Sequence, residues 1–126
     1  MSPVYVDLGY THLEIGNHYA IARTAEGVDV GLKEHQWVME TISKHTEFPV
    51  VLVLDEVNSY SVKLETLLAL RNEKRIGNTG VICYRSSTFI TYNLGSKLAR
   101  RPVNFFVSRM EATDWARNRA QDGLAV

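Results

Sequence analysis

The chain reads as an α/β domain: a mixed β-sheet with a parallel βαβ core, an N-terminal antiparallel hairpin and four helices. Three observations lead to the α/β class. Two β-prone runs near the N-terminus are joined by a Gly-Asn pair, a hairpin signal. Beyond residue 32, stretches of helical period alternate with short apolar runs, an order that implies parallel strands with helical crossovers. The run Val50-Val51-Leu52-Val53-Leu54 is apolar on both sides, as a central strand covered on both faces must be.

The elements follow in order. Val4-Tyr5-Val6-Asp7-Leu8 alternates apolar and other residues and stops at Gly9. Strands are expected over 11–15 and 19–23, on either side of Gly16-Asn17-His18, and a turn at Glu26-Gly27 leads into a short segment at 28–30. Leu32, Val38, Met39 and Ile42 recur at helical spacing and predict a helix over 32–45, which Pro49 cannot prolong. After the strand at 50–54, a helix is expected over 61–75. Leu64, Leu67, Leu68 and Ile76 form its apolar side, Ser61 its N-cap and Gly77 its C-cap, with Gly77 to Gly80 as a turn. A strand over 79–84 and a helix over 87–99 come next, the latter with Phe89, Ile90, Leu94 and Leu98 inward and closed by Arg100-Arg101-Pro102. A strand over 103–107 and a helix over 109–121 complete the chain, and Ser108-x-x-Glu111 has the form of a capping box.

Composition fits one domain over residues 1–126, with 45% hydrophobic and 22% charged residues. No run approaches the ~20 apolar residues of a membrane span. Met1-Ser2-Pro3 opens no basic-then-apolar leader, and one cysteine, Cys83, excludes an internal disulfide, so a reducing, cytoplasmic setting is expected. The net charge is zero, yet residues 1–61 hold nine acidic and three basic side chains, and residues 62–126 hold eleven basic and five acidic. The basic excess reads as solvated helix ends facing the negative pole of the helix dipole. Without an overall basic balance and interleaved aromatics, nucleic acid is not an expected partner.

The four histidines, His12, His18, His35 and His45, lack metal-ligand spacing and read as surface or turn residues, so no metal and no cofactor is expected. Cys83 falls mid-strand and reads as core filling. Nucleophile-elbow, phosphate-loop and dinucleotide patterns are absent. Asp55 ends a buried strand at the edge where open α/β sheets place ligands. A phospho-acceptor role there would need further acids for Mg²⁺ and a lysine at a later strand end, and the last strand ends in Val107-Ser108-Arg109 instead. Asp55 and Glu56 therefore read as solvated strand-end acids that support the next helix start. Asn58-Ser59-Tyr60-Ser61 leads into that helix, and free amides at a helix start suit an anion or a partner.

The order of these pieces resembles the STAS superfamily, the sulfate-transporter and anti-sigma-factor-antagonist fold, and within it the stand-alone bacterial SpoIIAA-like or STAS/SEC14-like members. The resemblance is carried by the hairpin, the helix over 32–45, Val50-Val51-Leu52-Val53-Leu54-Asp55-Glu56-Val57 with Ser59 and Ser61, and the closing Ser108-x-x-Glu111-Ala112-x-x-Trp115. It implies a non-enzymatic signalling module that binds a kinase or anti-sigma-like protein through Asn58, Ser59, Tyr60 and Ser61, with Ser86 and Ser87 beside them. The family's Asp-Ser-Ser-Gly switch is not present. Ser61 stands at the aspartate position and Val62 at the phosphorylated serine, so the docking surface is carried over and the switch is not. SEC14-like kinship implies an alternative, an apolar or lipid ligand held by Phe89, Ile90, Tyr92 and Leu94. An exposed hairpin edge also invites homodimerisation.

Overall fold

Strand and helix periods in the chain resolve into β1 (Val4–Asp7), β2 (Thr11–Gly16), β3 (Tyr19–Thr24), β4 (Asp29–Val30), α1 (Leu32–Ser43), β5 (Val50–Asp55), β6 (Ser61–Val62), α2 (Leu64–Arg71), β7 (Ile76–Ile82), β8 (Val103–Phe106) and α3 (Arg109–Gln121). The computed structural model describes residues 2–88 and 103–122. Six strands form one sheet in the order β1-β2-β3-β5-β7-β8, and β4 and β6 form a separate parallel pair. The hairpin strands pair antiparallel, with Val4 opposite Ile15 and Thr11 opposite Thr24. From β3 onward every pairing is parallel, Ile21 to Val53, Val53 to Gly80 and Gly80 to Asn104. The mixed sheet expected from the hairpin and the alternation is thus the observed one.

Side chains alternate across a strand, so each strand feeds two cores. On one face Leu13, Ile15, Ala20, Ala22, Val50 and Leu52 pack against Met39 and Ile42 of α1. On the other face Tyr19, Ile21, Val51, Val53 and Ile82 pack against Ala112 and Ala116 of α3, with Phe106 and Trp115 at the margin. Gly80 sits under Trp115, where an added Cβ would lie 2.8 Å from the indole. Small alanines on α3 and a glycine on β7 let this helix approach the sheet closely.

Several local expectations fail for tertiary reasons. The second helix begins at Leu64, not 61, because Ser61–Val62 is taken by pairing with Asp29–Val30. Ser61 is therefore no N-cap; Lys63 holds that position without a side-chain cap. The helix stops at Arg71, and Gly77 lies inside β7 rather than capping a helix, as do Asn78, Thr79 and Gly80, expected as a turn. Leu64, Leu67 and Leu68 are exposed, Leu64 at 72%, while Thr66 is the buried residue of α2. His35 is buried rather than superficial, since it shares the inward stripe of α1 with Met39 and Ile42. Cys83 lies just past β7 and is partly exposed. Residues 86–88 are helical, and the remainder of the helix expected over 87–99, with Phe89, Ile90, Tyr92 and Leu94, lies outside the described residues.

Candidate functional site

The carboxyl ends of β5, β7 and β8 open onto one edge of the sheet. Strand period puts Asp55 on the α3 face in the last position of β5, and Glu14 on the same face in β2, between inward Leu13 and Ile15. Both carboxylates are buried, Asp55 at 4% exposure. Arg109, first residue of α3, reaches between them. Its Nη1 donates to Asp55 Oδ2 at 2.7 Å and its Nη2 to Glu14 Oε1 at 3.2 Å. Ser108 caps the helix by accepting from the Glu111 amide at 3.2 Å, so the turn that carries Arg109 is fixed.

The network extends. Tyr19 donates its hydroxyl to Glu14 Oε2 at 3.2 Å and accepts from Arg117 Nε at 3.4 Å. The Tyr19 ring lies across Gly16, where any Cβ would collide with it. Burial works against the Arg109 charge, but the hydrogen bonds to Asp55 and Glu14 outweigh it and leave the guanidinium pKa raised. Asp55 Oδ1 has no hydrogen-bond partner among the described residues. The Tyr84 phenol lies within electrostatic reach of Asp55 without closing a well-formed bond to that oxygen. Its pKa is pushed up, first by burial and then by the carboxylate. The strand-end acid Asp55, expected in solvent, is instead one half of a buried ion pair. Solvating it would leave Arg109 and Glu14 mismatched.

The hairpin strands β1 to β3 border this network. An open groove of about 440 Å³ runs there between Tyr5, Asp7, His12, Glu14, Arg23 and Arg109. Glu56 follows Asp55 and is also buried, and Tyr60 donates its hydroxyl to Glu56 Oε1 at 2.6 Å.

The loop after β5 holds the residues expected from the sequence. Asn58 donates through Nδ2 to the Thr24 carbonyl at 3.0 Å, the Ser59 carbonyl accepts from the Gly27 amide at 2.8 Å, and Ser61 donates its hydroxyl to Asp29 Oδ1 at 2.8 Å. Ser59 and Ser61 are exposed, Asn58 and Tyr60 half-buried. Ser86 and Ser87 are exposed beyond β7, the strand next to β5, so both groups belong to the same edge. Apolar side chains stand among them: Val57 after β5, Tyr84 after β7, and Val107 and Met110 after β8, the last two 75% and 76% exposed. Among the described residues no cluster of three His, Cys, Asp or Glu could hold a metal ion.

Sequence reasoning missed Arg109 and Glu14. A signal for each was present. A cation in the first turn opposes the helix dipole and needs an acidic partner, and Glu14 stands between the apolar Leu13 and Ile15.

No family model matches the chain, and no curated protein matches it. Among solved structures it is similar to an uncharacterized protein of the DUF3478 family with a SpoIIAA-like fold from Shewanella loihica PV-4. The TM-score is 0.56 at 10% identity, over 91% of this chain and 92% of that one. The fold is SpoIIAA-like. Among the described residues no helix is long and apolar enough to cross a membrane.

Proposed function

We propose that the chain is a non-enzymatic docking module of bacterial signalling that meets a protein partner at the carboxyl edge of its parallel strands. One observation carries this reading. Val57, Tyr84, Val107 and Met110 are exposed on that edge, while the acids among them are bonded inward, Asp55 and Glu14 to Arg109 and Glu56 to Tyr60. Exposed apolar side chains beside acids already bonded inward suit association with another protein, where desolvation rewards the apolar atoms. Asn58, Ser59, Tyr60, Ser61, Ser86 and Ser87 supply the polar rim.

The test is capture of a stoichiometric partner from native lysate, followed by its recombinant preparation and titration against variants. Met110→Asp and Val107→Asp should each weaken binding about tenfold or more, as loss of a central apolar anchor does. Tyr60→Ala and Ser61→Asp should weaken it less, as rim positions do. Equal affinity for all four variants would remove this edge as the docking surface.

A further inference from the structure

Around the apolar anchors of the carboxyl edge, acids face solvent while most neighbouring arginines are held against the fold. Glu111 and Asp114 follow Met110 on α3, and both are exposed. Asp114 is one turn on from Met110, so the two are neighbours on the helix surface. The positive end of α3 offsets only about half a charge, and these two carboxylates carry more than that. Glu26 and Asp29 are exposed on the loop side of the same edge. They bond the Ser59 amide and the Ser61 hydroxyl, neutral donors that leave each carboxylate its charge.

The cations are differently placed. Arg109 turns its guanidinium in to Asp55 and Glu14, two acids against one charge. Arg117 donates to the Tyr19 hydroxyl and lies within electrostatic reach of Asp114. Arg23 shares its groove with Asp7 and Glu14. Arg85, beyond β7, is exposed and makes no ion pair with a described residue. Lys63 and Glu65, both exposed at the start of α2, balance one another. Exposed acids thus outnumber exposed arginines here: Asp7, Glu26, Asp29, Glu111 and Asp114 against Arg23, Arg85 and Arg117. A surface of that sign draws cations. Nucleic acid and anionic lipid carry the opposite sign to the one it needs. The apolar anchors at its centre call for apolar side chains in the same partner.

We propose that this edge selects a basic amphipathic segment of a protein partner, its apolar side chains seated on Val107 and Met110 and its lysines or arginines meeting Glu111, Asp114 and Glu26. The inference rests on the docking reading and adds the chemistry of the partner. Charge complementarity at a rim sets encounter rate and partner choice more than it sets total affinity.

The experiment uses the full chain, labelled with ¹⁵N, titrated with three synthetic probes: a helical Lys/Leu peptide, its Glu/Leu counterpart and polylysine. The Lys/Leu peptide should shift the amide signals of Val57, Tyr84, Val107 and Met110, and should bind about tenfold more tightly than either of the others. Glu111→Gln with Asp114→Asn should weaken that binding about threefold or more, since two rim charges go while side-chain size is kept. Neither carboxylate makes an ion pair with a described residue, so the spectrum of this variant should stay dispersed. Arg85→Gln should leave the affinity unchanged or raise it. Raising salt from low to high ionic strength should weaken binding roughly threefold or more. Equal binding of the Glu/Leu peptide or of polylysine, unchanged affinity after removal of the two acids, weaker binding after Arg85→Gln, or an affinity indifferent to salt would each overturn the proposal. Failure of the Lys/Leu peptide while Met110→Asp still weakens binding of the native partner removes the basic occupant and leaves the docking edge. Unchanged binding of that partner by Met110→Asp as well removes the edge itself.

Discussion

Arg109 shows how one side chain can decide whether two others are tolerable. Glu14 and Asp55 are buried carboxylates, and a buried charge without a counterion costs several kcal/mol. Arg109→Met should therefore lower unfolding free energy by about 3–5 kcal/mol in urea titration. Arg109→Lys should cost less, since charge is kept but one ammonium cannot fork between two carboxylates. Adding Glu14→Gln and Asp55→Asn to Arg109→Met should return part of the loss, because the stranded charges are then gone. A second buried cluster, on the opposite face, sets the response to acid. His35 Nε2 meets Glu73 Oε2 at 3.3 Å, and Arg75 donates to both Glu73 oxygens, at 2.6 and 2.7 Å. Arg75 holds the Glu73 carboxyl down at about 2, against an ordinary 4.5. Its stabilising effect is complete above pH 4.5 and is lost as pH falls toward 2. Burial lowers the His35 pKa below 6.5, although Glu73 pulls the other way. The unfolded chain then takes up the proton first, so stability also declines as pH drops below 6.5. Unfolding free energy followed from pH 7 to 2 should fall in two stages. Glu73→Gln should abolish the lower stage, and His35→Gln should flatten the upper one.

At the level of elements, the sheet and the last helix were readable because local and global requirements coincide there. Val50 to Leu54 could only be a central strand, and Ser108 opens α3 where its cap predicts. The second helix was misjudged because β6 belongs to a pairing with residues about thirty positions earlier, which local periodicity does not encode. His35 was legible in principle, since its spacing to Met39 and Ile42 places it on the inward stripe of α1. A lone histidine on a helix does not announce its burial, however. The polar network at the carboxyl edge of the parallel strands was half visible: Asp55 by its strand-end place, Arg109 only by its discord with the helix dipole. Close approach of α3 to β7 yields a sharp prediction. Gly80→Ala puts a methyl 2.8 Å from the Trp115 indole and 3.1 Å from the Phe106 ring, so it should cost about 1–3 kcal/mol by chemical denaturation. Leu67→Gln on the exposed side of α2 should change stability by less than about 0.5 kcal/mol in the same assay.

At the scale of the molecule, one sheet is shared by two cores. Val50 and Leu52 face α1, Val51 and Val53 face α3, and neither layer can loosen without exposing the back of the other. Unfolding should therefore be a single cooperative event. In a Trp37→Phe variant, Trp115 fluorescence, which then reports the α3 face, and far-ultraviolet circular dichroism, which reports all helices, should give coincident urea transitions. Separate midpoints would show that the layers melt independently. One hydrogen bond ties the first hairpin to the last helix, from Glu14 to Arg109, ninety-five residues apart. During synthesis the first hairpin leaves the ribosome with its carboxylate unmatched, and the matching guanidinium follows ninety-five residues later. A nascent chain stalled before position 109 would hold its β2 acid in water, and the sheet could close over that acid only once Arg109 had followed.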